Sequence, residues 1–241
     1  MNDNITDKAS EVRSRLFLVT QQFDFLYDII SDCYAKNADK KLHFVINETN
    51  RGDVAEKVIN GSYNLGILVA NSKDGHSLPW SNEKDCEKIS VQLLDTAEPA
   101  VCVGPSSRFY HRDSITYEEA AKVPNIAIDM EDRCSLNLTF DNQMSVFNKE
   151  NIIFTNSSEL AINMLERTDS VAYVAKWLIN RFKSPAIKAI PIVKHPLISS
   201  ENQLLLIKKK DVPLSECERS FIEILADYFR LDSSSFFDDV Q

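Results

Sequence analysis

Glycine is scarce in this sequence, with five residues in 241, against an average usage of about 7 %. So few glycines leave little material for Gly-rich phosphate loops or for folds turned by repeated glycines. Neither G-x-G-x-x-G nor G-x-x-x-x-G-K-[ST] occurs, and H-E-x-x-H and G-x-S-x-G are absent too. Cysteine is also sparse. Cys33, Cys86, Cys102, Cys134 and Cys217 are odd in number, widely spaced and without a C-x-x-C, which suits a reducing compartment better than a disulfide framework. The four histidines, His43, His76, His111 and His195, stand far apart with no other ligand type at metal spacing, so no metal site or other cofactor is expected. No nucleophile–base pair stands out, and an enzyme is not the favoured class. No apolar run approaches the roughly 18–20 residues of a membrane helix. The start, Met1-Asn2-Asp3-Asn4-Ile5-Thr6, lacks the basic and apolar regions of an export signal. A cytoplasmic protein with no membrane partner is expected. Positive charge is short as well: 27 Lys and Arg against 36 Asp and Glu give a formal net charge of −9. An acidic surface repels the nucleic-acid backbone, so direct nucleic-acid binding is not expected. The one basic run, Lys208-Lys209-Lys210, reads as a solvated strand end.

What is present is alternation. Arg15–Thr20 is an apolar run fit for a buried strand, and Phe23, Leu26, Ile29, Ile30 and Cys33 then fall at helical spacing over 23–36. Lys41–Glu48 alternates as a strand, Asn50 with Asp53 predicts a capped helix over about 52–60, and Tyr63–Ala70 is again a strand. This β-α-β-α-β order predicts a parallel sheet covered by helices. Further strands are expected at 89–94, 100–103, 125–128, 151–155, 170–174, 187–193 and 203–207. Capping boxes at Thr116-x-x-Glu119 and Ser215-x-x-Glu218 open helices, and Asn156 with Glu159 predicts another to about Arg167. A short helix is expected over 176–182. The tail from Asp232 is rich in Ser and Asp and is expected to be mobile. Crossings between two lobes are placed at Val103-Gly104-Pro105 and Ile192–Pro196. The division expected is a tail at 1–14, a first lobe of 15–103 plus 194–231, a second lobe of 104–193, and a mobile tail at 232–241.

Several stretches, in order, resemble the effector-binding domain of LysR-type transcription regulators. Leu16-Phe17-Leu18-Val19-Thr20 before a helix is similar to the family's opening strand. Val54–Leu68, with Gly61 and Leu65-Gly66-Ile67-Leu68, is similar to its helix, Gly and strand element. Leu94-Asp95 and Ala100–Pro105 follow its "[DE]-x-[LM]-x-L-V-x-P" segment, and Ser114–Ala120 follows "[VI]-S-L-E-D-L". Phe154–Leu160 and Val171–Val174 follow its helix start and "G-[IV]-A-x-[LV]-P", and the closing strand and helix complete the likeness over about 14–229. The chain departs from the pattern where Thr168-Asp169-Ser170 replaces the usual glycine and Ala175 the usual proline. The resemblance implies a type 2 periplasmic-binding-protein-like α/β fold of two lobes joined by two crossover segments. It also implies a small-molecule effector in the interlobe cleft, and homodimers through the first helix and its neighbouring strand. The family's DNA-binding module needs about 60 residues, and residues 1–14 do not provide them, so the function expected here is effector sensing. A transporter's solute-binding protein or an enzyme on the same fold are the alternatives.

By the carboxyl-end rule, the candidate ligand residues are Thr20, Gln21 and Gln22 at the end of the first strand and Asn156 and Ser157 at a strand end of the second lobe. Asp129, Glu131 and Arg133, after the 125–128 strand, complete the set. Each has a plainer reading. Thr20, Gln22, Asn156 and Ser157 can simply cap helices, and the 129–133 residues can be a solvated turn. Asn47, Glu48 and Thr49 face the same rim, and Tyr173 is either cleft or core.

Overall fold

The computed structural model describes residues 14–71, 83–128, 151–193 and 202–237. β1 (Ser14–Thr20), α1 (Phe25–Lys36), β2 (Leu42–Glu48), α2 (Arg51–Ile59) and β3 (Leu65–Asn71) follow in the expected order. β1 pairs in parallel with β2 and with β3, the arrangement that helical crossovers make possible. After α3 (Glu83–Cys86) comes β4 (Ile89–Ala97), and the last strand, β10 (Asn202–Lys209), enters antiparallel between β3 and β4. The first sheet therefore runs β2-β1-β3-β10-β4.

The second lobe holds β5 (Ala100–Val103), α4 (Tyr117–Ala120), β6 (Asn125–Ile128), β7 (Ile152–Thr155), α5 (Ser158–Arg167), β8 (Ala172–Val174), a 3-10 helix (Lys176–Arg181) and β9 (Lys188–Pro191). β5 lies between β8 and β9, antiparallel to both, and β6 pairs in parallel with β7. A bridge between Asn125 and Val171 joins the two groups of strands. Sheet pairing moves the first crossing. The division at Val103 puts Ala100–Val103 in the first lobe, but this strand pairs only with β8 and β9, so the chain leaves the first sheet at Glu98-Pro99. A short apolar strand carries no mark of which sheet it joins, and only its partners decide.

Sheets buried on both faces explain the unbroken apolar runs. Along β10, Leu204 and Leu206 face one core with Leu16, Leu18, Leu65, Ile67, Phe221 and Leu225. Leu205 and Ile207 face the other, against Val54, Ala55 and Val58 of α2. The alternation follows from successive side chains pointing to opposite faces. The closing helix, α6 (Glu216–Phe229), packs on α1 with Cys33 and Cys217 sulfurs 3.9 Å apart as free thiols. The stretch after Asp232 is not a free tail as far as Phe237. Asp232 caps a 3-10 turn at Ser233–Phe236, and Phe236 is buried in the first core. Composition hid this because one aromatic ring is enough to anchor a polar segment.

Helix starts follow the sequence closely. The Asn50 side chain accepts from the Asp53 N–H at 2.8 Å, and both predicted capping boxes are closed in both directions. The cap of α5 differs by one residue. Ser157, not Asn156, accepts from the Leu160 N–H at 3.2 Å, while its own N–H donates to Thr155 Oγ1 at 2.9 Å. Thr155 thereby sets the turn, and Asn156 stands one residue too early to reach the helix.

Gly104 needs its missing side chain. A Cβ there would run into the Leu165 carbonyl oxygen and lie 2.8 Å from the Glu166 Cα, both backbone atoms of α5. Backbone does not yield as a flexible side chain does, so Gly104→Ala is expected to destabilise the protein by about 1–3 kcal/mol or more. Urea denaturation followed by circular dichroism checks this; an unchanged midpoint would show that α5 shifts freely.

Candidate functional site

The carboxyl end of β1 is tied down by its own side chains. Thr20 is 1 % exposed, and its hydroxyl is within donating distance of the carbonyls of Gln21 (2.8 Å) and Ile67 (3.2 Å). Gln21 is 4 % exposed; its Oε1 accepts from the Val69 N–H at 2.7 Å and its own N–H donates to the Ile67 carbonyl. Thr20 and Gln21 thus lock β1 to β3. Gln22 is half-buried and makes no side-chain hydrogen bond within the described residues. None of the three caps α1. The residue at the cap is Asp24, in helical conformation and with no side-chain cap bond, so the first turn of α1 opens without a side-chain partner. A helix start left in this state favours a polar ligand group, although Asp24 and Asp28 beside it oppose a strong anion.

The end of β2 lies alongside. The Thr49 N–H donates to the Thr20 carbonyl at 2.8 Å, the Thr49 hydroxyl donates to Asp53, and Asn47 Nδ2 donates to the Tyr63 hydroxyl at 3.3 Å. The ends of β1 and β2 therefore form one rim of amides and hydroxyls. In the second lobe Asn156 is exposed and Ser157 is occupied as a helix cap. Asp129, Glu131 and Arg133 lie outside the described residues. Tyr173 takes the core reading: it packs with the second-lobe cluster and stacks on Tyr117 at 6.3 Å.

Sequence reasoning missed the contact that joins the lobes. The 3-10 helix at 176–181 is two-sided. Trp177 and Leu178 pack on the first-lobe core, while Ile179 and the following Phe182 belong to the second-lobe core. At the crossing, Asp95 at the end of β4 accepts from Trp177 Nε1 at 3.1 Å and from Lys176 Nζ at 2.7 Å, and Lys176 also donates to the Thr96 carbonyl. Leu94-Asp95 was visible as a motif, but nothing in the sequence pairs it with a tryptophan 82 positions away.

The LysR substrate binding domain family matches residues 19–230. The chain belongs to this family. It has no match among curated proteins. The effector-binding domain of QuiR in complex with shikimate is similar, with 14 % identity, 90 % of this chain and 98 % of that chain covered and a TM-score of 0.65. The C-terminal domain of a probable LysR family regulator from Rhodococcus sp. gives 15 % identity, coverage of 89 % and 100 %, and a TM-score of 0.65. The BenM effector-binding domain with benzoate gives 11 % identity, coverage of 95 % and 96 %, and a TM-score of 0.61. At these identities the shared property is the fold, the two-lobed type 2 periplasmic-binding-protein-like arrangement. No helix among the described residues is long and apolar enough to cross a membrane.

Asp95 is expected to make the stability of this LysR domain depend on pH. Burial pushes its carboxyl up, but donation from Lys176, Trp177 and the Thr96 N–H outweighs burial and holds it below the usual aspartate range. A lowered carboxyl stabilises the folded state above its unfolded value, and that stabilisation is lost as pH falls through the lowered one. The side chains of Lys176 and Asp95 are 48 % and 31 % exposed, so the contribution is expected to stay below about 1 kcal/mol. In a Trp80→Phe background, Trp177 emission is expected to change as pH drops below about 3.9, and Asp95→Asn is expected to remove that step. A step that persists in Asp95→Asn would place the titrating group elsewhere.

Proposed function

We propose that this domain senses a small polar effector in the cleft between its lobes and answers by a change in lobe angle. The two-sheet architecture carries this reading. Strand ends of separate sheets present hydrogen-bonding groups, and one 3-10 helix packs into both cores, so any change of lobe angle must displace it. A ligand that prefers one angle shifts the population toward it by its differential affinity. The relatives were solved with shikimate and benzoate, both carboxylates. The described rim here offers Gln22, Asn47, Thr49 and a helix start flanked by Asp24 and Asp28, and Arg133 is the one cation among the candidate residues. This set favours a ligand rich in hydroxyl or amide groups on the first-lobe side, with any carboxylate facing the second lobe. The role is regulatory rather than enzymatic, and it is carried out in the cytoplasm.

A thermal-shift screen of small metabolites tests the reading. Binding is expected to raise the melting temperature by mass action. Gln22→Ala is expected to leave the unliganded melting temperature unchanged and to weaken binding about tenfold, the equivalent of one lost hydrogen bond of about 1.4 kcal/mol. Thr20→Ala, by contrast, is expected to lower stability itself by about 1 kcal/mol. The proposal fails if no polar metabolite shifts the transition.

A homodimer through α1 and β2 belongs to the same reading. Tyr27 and Tyr34 on α1 are 41 % and 57 % exposed, and Ile46 on β2 is 37 % exposed. The Tyr34 ring meets Phe44 of β2 edge-on at 5.9 Å, so the two elements present one apolar surface. Tyr34→Glu is expected to convert a dimer to a monomer in sedimentation velocity without loss of helix content. A monomeric wild type would exclude this face.

A further inference from the structure

The packing of α1 on α6 brings two thiols face to face. Cys33 lies in the last turn of α1, and Cys217 is the second residue of α6. They stand 184 positions apart in sequence, yet their sulfurs are 3.9 Å apart. Cys33 Sγ is also within donating distance of the Cys217 carbonyl, at 3.6 Å. Both residues are fully buried and both are free thiols. Polar links around the pair hold the two helices in register. Asn37 Nδ2 donates to the Cys33 carbonyl at 2.9 Å and to Ser220 Oγ of α6 at 3.2 Å. Lys36 pairs with Glu223 of α6 at 3.1 Å, and Lys40 with Glu216 at 3.0 Å.

Two small buried side chains could serve packing alone, but the surroundings of this pair are not purely apolar. Ser14 Oγ is buried without a hydrogen bond of ordinary geometry among the described residues, and it faces Cys217. Burial pushes both thiols up, Cys33 to about 12. At Cys217 the Cys33 thiol, Ser14 and Lys40 work against burial and Glu218 works with it. Donation from Cys33 favours the Cys217 thiolate, so Cys217 is the first of the two to ionise. A buried thiol reacts slowly, and reaction therefore waits on opening. Both cysteines lie in terminal turns of their helices, which open at less cost than the whole lobe. A sulfur–sulfur bond is about 2.05 Å long, so the 3.9 Å gap closes by side-chain rotation and a small shift of two helix ends.

We infer that Cys33 and Cys217 are a redox-reactive pair, which a small disulfide of the glutathione class converts to an internal bond tying the end of α1 to the start of α6. The Cys217 thiolate attacks one sulfur of the small disulfide, that S–S bond breaks, and one small thiolate leaves. Cys33 then loses its proton and attacks the Cys217 sulfur, the mixed disulfide breaks, and the second small thiolate leaves. The two protons from the cysteines end on the two departing thiolates. Two protein thiols are oxidised and one small disulfide is reduced to two thiols. Both cysteines belong to the first lobe, so the bond stabilises that lobe and leaves the effector cleft open.

Equilibration of the full chain with mixtures of reduced and oxidised glutathione tests this, followed by denaturation, alkylation and peptide mass mapping. The oxidised protein is expected to be lighter by two hydrogens and to take up three alkyl groups, since two of its five cysteines are bonded to each other. The linked peptides are expected to be those of Cys33 and Cys217, and dithiothreitol is expected to restore all five. The melting temperature of the oxidised form is expected to lie about 5–15 °C above that of the reduced form. Cys33→Ala and Cys217→Ala are each expected to abolish both the bond and the shift, and the mapping on the unmutated protein stands whether or not either variant folds. Five alkylated cysteines in oxidised glutathione, a mixed disulfide that never closes, a bond to Cys86, Cys102 or Cys134 instead, or an oxidised form that melts no higher than the reduced one would overturn the inference.

Discussion

The first lobe depends on a strand that arrives from the far end of the chain. β10 lies between β3 and β4, buried on both faces, and without it β4 has no partner in that sheet. Four consecutive apolar side chains, Leu204 to Ile207, fill both cores at once; burying each contributes roughly 1.5–3 kcal/mol. The same strand forces the chain to cross between lobes twice, because everything from β5 to β9 must be built before it returns. It also delivers α6 to the face where α1 lies, with Ser215 and Glu218 closing the helix start and Glu218 accepting from Asn64 at 2.8 Å. The second lobe is thus an insertion whose strands pair with one another and not with the first sheet.

At the crossing after β4 the contacts among the described residues are mixed in character. Asp95 holds Lys176 and the Trp177 indole, while Trp177 and Leu178 pack on one core and Phe182 on the other. A half-exposed ion pair is a weak fastening, so the apolar side of the 3-10 helix does more to set the resting angle than the charge does. That balance fits a sensor, in which a ligand must be able to change the angle with a few kcal/mol of differential affinity.

Charge is distributed to the same effect. The protein is acidic overall, and the candidate rim of the first lobe is made of amides and hydroxyls with Asp24 and Asp28 nearby. The Lys208–Lys210 run sits instead at the opposite end of the strands, where Lys208 pairs with Leu65 at the start of β3.

The sequence by itself determined most of the elements and the order of the first five. Periodicity switches cleanly between 2.0 and 3.6 over 15–70, and capping residues such as Asn50, Thr116 and Ser215 act within one turn of helix, where local chemistry decides. It also located the strand ends that form the candidate rim. Tertiary structure alone decided which sheet Ala100–Val103 joins, since any apolar four-residue strand can pair with any free edge. It separated Thr20 and Gln21, whose polar groups are engaged in tying β1 to β3, from Gln22, which makes no such bond. It turned an apparently solvated lysine run into two fastenings, Lys208 to the Phe236 carbonyl and Lys209 to the Ile59 carbonyl, and it joined Asp95 to Trp177. Each of these is a contact between residues distant in sequence, and composition and spacing carry no information about which distant groups the closing strand brings together.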